Sequence, residues 1–228
     1  MPIYQLPDEA LFPNPGMAEE DGLLAIGGDL SPERLLNAYA QGIFPWYSDG
    51  QPFLWWSPDP RMILFPEGFK RSKNLRRTVE SGKFEVKFDS NFIGVISNCS
   101  EISRKEQPGT WITSEMKAAY IRLHQLGFAH SVETYLDEKL VGGLYGISIG
   151  GAFFGESMFH LVTDASKVAL WHLVDRTLKW NIDFIDVQQD TAHLRSLGAV
   201  TIERKKFLIL LGESLNKETI KGDWGIEE

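Results

Sequence analysis

Asp186 and Gln188 stand two residues apart in Phe184 to Gln188, a short run that reads as a β-strand, so both side chains leave one face and can share a polar site. Glu156, late in a second candidate strand from Gly151 to Met158, can reach the same cleft. A carboxylate that orients an amide, which in turn accepts a hydrogen bond from an incoming amine, suits general-base-assisted acyl transfer onto nitrogen. The plainer alternative is that all three are strand-end polar residues making caps and ladder contacts. A covalent nucleophile is hard to find: Ser157 lacks a G-x-S-x-G setting, Cys99 follows an apolar run with no histidine nearby, and His160 and His193 lack metal-ligand spacing. Direct transfer from an already activated ester needs none.

Aromatic and basic residues are the other resources. Trp46, Trp55, Trp56, Trp111, Tyr120, Phe153 and Phe154 can wall an apolar acyl pocket or stack a nucleobase; they can equally fill a core. From Lys70 to Lys87 seven basic residues face two acidic ones, a local +5. The whole chain carries 23 Lys and Arg against 31 Asp and Glu, net -8, so the remainder holds -13. That balance argues against a protein coated in nucleic acid and allows one basic patch, or merely a solvated face.

With 228 residues, 43% hydrophobic and 24% charged, the chain has the composition of a water-soluble globular protein. Its longest apolar runs, such as Phe207 to Leu211, fall far short of the roughly 18 residues a bilayer span needs. The acidic start has no basic leader, so neither membrane insertion nor export is expected. Cys99 stands alone, which excludes an intrachain disulfide and a cysteine metal site and fits a reducing compartment.

The elements that must position these groups follow from turn and cap signals. Residues 1–66 are rich in proline, aromatics and turns, and read as a small loop-rich α+β domain. Within them Ser31 caps a helix with Pro32 at its first position and Leu35, Leu36 and Tyr39 on its apolar face. Residues 67–228 read as the larger domain. Phe84 to Phe88 alternates as a strand, and Thr113 to Gln125 is a helix with Met116, Tyr120 and Leu123 on one side. Ala129 to Leu136, Leu140 to Ser148 and Gly151 to Met158 form an antiparallel meander. A helix capped by Thr163 or Asp164 follows, with Val168, Trp171, Val174 and Leu178 at helical spacing. The strand Phe184 to Gln188, a helix of about Thr191 to Ser196, the strand Val200 to Glu203 and a C-terminal helix complete the order.

This is an α+β order, that of the acetyltransferase-like (GNAT) fold. The connection Ser157 to Thr163 has none of the glycines that let backbone N–H groups approach a pyrophosphate, so a CoA site is not expected. The missing glycines make an N-acetyltransferase a weaker reading than direct acyl transfer from an activated ester, and an RNA-binding module using the basic segment and the aromatics is a non-enzymatic alternative.

Longer strings carry a resemblance: Gly22 to Ser31 (GLLAIGGDLS), Gly42 to Trp46 (GIFPW), Trp55 to Arg61 (WWSPDPR), Gly109 to Thr113 (GTWIT), Leu140 to Gly146 (LVGGLYG), Gly155 to Phe159 (GESMF), Ala165 to Lys167 and Ser196 to Ala199. In this order, over about residues 22–205, the chain resembles the bacterial leucyl/phenylalanyl-tRNA–protein transferases. The resemblance implies a cytoplasmic, monomeric enzyme needing neither metal nor CoA. It would move Leu, Phe or less readily Met from aminoacyl-tRNA to the α-amine of proteins beginning with Arg or Lys, making an N-degron for Clp-mediated degradation. A tRNA-dependent transferase acting on peptidoglycan precursors shares the fold class but usually has duplicated domains.

The same resemblance implies that Asp186 polarises Gln188, whose amide oxygen draws the proton from the amine, with Glu156 beside it. It places Trp111, Tyr120, Leu144, Phe153 and Ile185 around the aminoacyl side chain, Trp46 and Tyr39 near the terminal adenosine, and Lys73, Arg76, Arg77 and Lys83 on the acceptor stem. Val187 stands where many relatives carry Cys, and Leu144 and Leu173 where some carry Met and Phe. The Leu-to-Phe preference is therefore open.

Overall fold

The computed structural model describes residues 3–101 and 112–226. Over these the elements run β1 (Tyr4–Gln5), β2 (Leu23–Ile26), α1 (Pro32–Ala40), β3 (Phe44–Pro45), β4 (Leu54–Trp56), β5 (Arg61–Leu64), α2 (Lys73–Glu80), β6 (Glu85–Phe88), α3 (Phe92–Glu101) and α4 (Ser114–Gln125). They continue with β7 (Ala129–Leu136), β8 (Lys139–Ile149), β9 (Ala152–His160), α5 (Ala165–Lys179), β10 (Phe184–Gln188), α6 (Ala192–Ser196), β11 (Val200–Ile202) and α7 (Arg204–Ser214). The architecture is mixed α+β.

Side-chain caps start several helices. Ser31 Oγ accepts from Arg34 N, Ser72 Oγ from Leu75 N, and Thr113 Oγ1 from Met116 N. Met116, Tyr120 and Leu123 are the buried side of α4. On α1 the buried residues are Arg34, Leu35, Ala38 and Tyr39, while Leu36 is only partly covered. On α5 the expected stripe holds at Val168, Trp171 and Val174 but not at Leu178, which is exposed. Asp164 precedes α5 with φ 69° and makes no capping bond; its carboxylate instead pairs with Lys167 Nζ at 2.9 Å.

Two sheets form, one in the order β1-β2-β4-β3 and one of seven strands in the order β11-β5-β10-β9-β8-β7-β6. The meander β7-β8-β9 is antiparallel, and its first turn places Asp137 and Glu138 at φ 49° and 61°, the left-handed pair that matches hairpin twist. β9 and β10 are parallel, joined by the α5 crossover. β5 inserts antiparallel between β10 and β11. Residues 61–64 thus belong to the large sheet, upstream of the seam read at residue 66. Proline at positions 58, 60 and 66 masks this four-residue strand in the sequence.

One face of the large sheet packs against α1, α3, α4 and α7, in a core that continues into the small sheet through Ala25, Phe44 and Trp55. The other face packs against α5, with Leu75 of α2 and Trp224 of the C-terminal segment in the same cluster.

Candidate functional site

The parallel pairing of β9 and β10 runs from Phe184 opposite Ala152 to Asp186 opposite Phe154 and ends there, although both strands continue with other partners. A wedge therefore opens between residues 155–158 of β9 and 187–188 of β10. It leads into a cavity of about 490 Å³ whose walls include Leu144, Phe153, Leu170, Leu173 and Ile185, with Phe44, Pro45 and Trp46 across from them.

A chain of buried polar groups runs along the wedge. Arg61 of β5 donates to both oxygens of Asp186, Nε to Oδ1 at 2.9 Å and Nη2 to Oδ2 at 2.7 Å, and both residues are fully buried. Its guanidinium lies between the rings of Phe44 and Phe207, 4.7 and 4.6 Å from their centroids. Asp186 Oδ1 also accepts the backbone N–H of Gln188 at 2.9 Å. That bond holds Gln188 at φ 62°, a left-handed conformation that a non-glycine residue adopts only when its surroundings impose it. A shift of register between Asp186 and Gln188 accompanies it.

Gln188 Nε2 donates to Glu156 Oε1 at 2.8 Å, and Tyr120 Oη donates to Glu156 Oε2 at 2.9 Å. Behind Tyr120 its hydroxyl pairs with that of Tyr39. Among the described residues the donors to Glu156 are thus neutral. Burial pushes its carboxyl up to about 7, against the opposing effect of the hydrogen bonds it accepts. Burial, then the neighbouring Glu156 charge, raises both tyrosines well above their usual range.

The expected trio does meet, but its contacts differ from the sequence reading. Asp186 reaches the backbone of Gln188 and not its side-chain amide, because the register shift turns the two side chains apart. The carboxylate on the amide is Glu156. Sequence spacing does not single out Arg61; only its place in the Trp55–Arg61 string marks it.

Leu144, Phe153, Ile185 and Trp46 line the cavity. Tyr120 and Tyr39 do not: both are fully buried behind Glu156, so neither faces the space as expected of an aminoacyl-pocket or adenosine contact. Trp111 lies outside the described residues. At the mouth stand His160 and His193, whose sequence spacing suggests no role. Burial, then the nearby charges of Lys167 and His160, lowers the His193 pKa.

Lys73, Arg76 and Arg77 lie on α2 and Lys83 just beyond it, all exposed, with Leu75 alone buried in that helix. Arg76 also lies 5.9 Å from the Trp171 ring centroid, and Lys83 4.9 Å from that of Phe84. Among the described residues, no helix is long and apolar enough to cross a membrane and no group of His, Cys, Asp or Glu is placed to hold a metal ion.

Residues 63–212 match the sequence pattern of the leucyl/phenylalanyl-tRNA protein transferases, and residues 28–59 match that of their N-terminal domain. The chain belongs to this family. A leucyl/phenylalanyl-tRNA–protein transferase of Anaeromyxobacter sp. (strain Fw109-5) is 53% identical over 100% of this chain and 97% of its own length. One of Thermodesulfovibrio yellowstonii is 55% identical over 98% of this chain and 91% of its own. Among solved structures, L-PGS from Bacillus licheniformis aligns with 74% of this chain and 54% of its own at 12% identity and a TM-score of 0.39, too distant to bear on the transferase site. The two family patterns meet at residues 59–63, where the chain leaves the small sheet for β5.

Proposed function

We propose that the chain transfers Leu, Phe and, less readily, Met from aminoacyl-tRNA to the N-terminal α-amine of proteins beginning with Arg or Lys, creating an N-degron for Clp-mediated degradation in the cytoplasm. The observation that carries this reading is the apolar cavity that ends at a buried, neutrally hydrogen-bonded carboxylate and an amide. The transferred side chain lies against Leu144, Phe153 and Ile185, the terminal adenosine lies by Trp46, and Lys73, Arg76, Arg77 and Lys83 hold the acceptor stem. Unbranched and γ-branched side chains fit such a tube, whereas a branch at Cβ clashes at its entrance.

The ester is already activated, so the site has to align amine and carbonyl and manage one proton. Gln188 has its NH₂ committed to Glu156, which leaves the amide oxygen to hold the incoming amine. An amide oxygen is too weak a base to keep the proton, whereas a carboxylate near 7 is matched to the task. As the N–C bond forms, the proton passes to Glu156, and it returns to the ribose oxygen as the ester C–O bond breaks. Asp186, clamped by Arg61, positions Gln188. The net charge of -8 favours a cationic first residue of the acceptor.

The strand order, with a meander, a helical crossover and two parallel strands that splay, supports an acetyltransferase-like catalytic unit. We place its boundary with the smaller unit near residue 60. The test is incorporation of radiolabelled Leu or Phe from charged tRNA into a model protein starting with Arg, beside the same protein starting with Ala. Label on the Arg version alone is expected. Binding of charged tRNA with no label on either would move the reading to an RNA-binding module or to a different acyl acceptor.

A further inference from the structure

Phe153 is one wall of the cavity and is 1% exposed, so its ring fixes how deep the cavity runs. On the β8 side the ring occupies the space over Gly146, where a Cβ would sit 2.5 Å from Cε1 and 2.6 Å from Cζ. The ring therefore has backbone beneath it and no room to give in that direction. Its other neighbour is the indole of Trp224, with ring centroids 5.7 Å apart and planes at 40°. Trp224 is 2% exposed and does not itself line the cavity, yet it shares one buried cluster with Leu144, Leu170, Leu173 and Ile185, which do.

Trp224 arrives from the segment after α7, beyond both stretches that match the family's patterns. It is held from several sides. Its backbone N–H donates to Asp89 Oδ2 at 2.9 Å, and its backbone carbonyl accepts from Arg176 Nη1 at 2.7 Å. The indole stacks on His130 at 3.9 Å between centroids, with planes 10° apart, and meets Trp180 edge-on at 4.9 Å. His130 Nδ1 is itself 2.8 Å from the same Asp89 oxygen. Such a clamp fixes one side chain behind the cavity wall and leaves the polar groups at the cavity mouth untouched.

We propose that Trp224 is the backing of the cavity wall and a positioning residue for specificity: by holding Phe153 forward it sets the preference between Leu and Phe. This rests on reading the cavity as the pocket for the transferred side chain. Shortening the indole leaves a void that the core fills only in part, and Phe153 is the ring free to move into it. The cavity then lengthens and the larger substrate gains. A change of about one methylene in such a pocket is worth roughly 10–200-fold in discrimination, and partial relaxation should yield the lower end.

The test is competition between Leu-tRNA and Phe-tRNA, read as the ratio of kcat/KM, in the full chain. Trp224→Leu should raise the Phe-to-Leu ratio by about tenfold, and Trp224→Phe should return it to within about twofold of wild type. Ile96→Ala, in the core on the opposite face of the sheet, should lower stability and leave the ratio alone. Should Trp224→Leu fail to fold, Arg176→Gln loosens the same clamp with the indole kept, and a smaller shift in the same direction is expected. A ratio within about twofold of wild type in folded Trp224→Leu overturns the proposal, as does an unchanged ratio in folded Arg176→Gln where Trp224→Leu does not fold. A wild type that transfers neither residue overturns the reading beneath it as well.

Discussion

Replacing Glu156 by Gln tests the site without any substrate. In the native chain its carboxyl sits at about 7 against an ordinary 4.5, because burial disfavours the charged form. Between those values the folded protein keeps a proton that the unfolded chain has released, so this group's contribution to stability is fully present below 4.5 and is lost as pH rises through 7. At about 1.4 kcal/mol for each tenfold, the loss between pH 5 and pH 8 is about 2–3 kcal/mol. Gln is neutral throughout and can keep both bonds, its oxygen accepting from Gln188 and its NH₂ donating to Tyr120. Thermal unfolding of wild type and Glu156→Gln at both pH values isolates this group, since every other titration cancels in the difference. At about 2–4 °C per kcal/mol for a chain of this size, the variant should gain about 5–10 °C on wild type between pH 5 and pH 8. A gap that does not change with pH would refute the assignment of a neutral, buried Glu156.

Other parts of the site give separate tests. Arg61→Met leaves Asp186 buried without its cation and should destabilise by about 3–5 kcal/mol in urea unfolding, with Arg61→Met/Asp186→Leu clearly less harmful than the sum of the single changes. Gly146→Ala forces a Cβ to within 2.2 Å of the Phe154 carbonyl oxygen and into the Phe153 ring, so urea unfolding should show a loss of at least about 1–3 kcal/mol. Reversing Arg76 and Arg77 to Glu should weaken tRNA binding and flatten its dependence on salt by roughly 0.9 in log–log slope for each phosphate no longer neutralised. An unchanged slope would remove α2 from the tRNA-binding face.

Much of the fold is legible because its signals are local. Thr113 and Thr191 cap their helices through their own hydroxyls, and Met116, Tyr120 and Leu123 recur at helical spacing, so those elements can be read one at a time. α3 escapes the sequence reading although Phe92, Val95, Ile96 and Cys99 show the same spacing and Asn91 caps it, its Oδ1 accepting from Gly94 N at 3.0 Å, because Gly94 and Asn98 weaken its propensity. β5 escapes it because a central strand buried on both faces has no alternation to display, and only its partners β10 and β11 define it. In the site, the residues are legible and their bonds are not. A two-residue spacing puts two side chains on one face of a regular strand, but the register shift at Gln188 depends on Asp186 and on Arg61, which is 125 residues away.

That long-range clamp explains how one wedge holds two buried carboxylates with different work to do. Asp186 receives a bidentate guanidinium from Arg61, which fixes the carboxylate in place as an acceptor for the Gln188 backbone. Among the described residues Glu156 is held by an amide and by phenols, neutral donors that orient it without compensating its charge. The same burial therefore makes one carboxylate a rigid anchor and leaves the other able to gain and lose a proton near neutrality. Exchanging the partners would reverse the roles. A cation placed beside Glu156, as in Tyr120→Lys, should pull its carboxyl back toward the ordinary range and leave it a poor proton acceptor. The pH at which transfer falls off should then move down as the maximal rate drops; a fall-off that stays near 7 would mean that Glu156 is not the group being titrated.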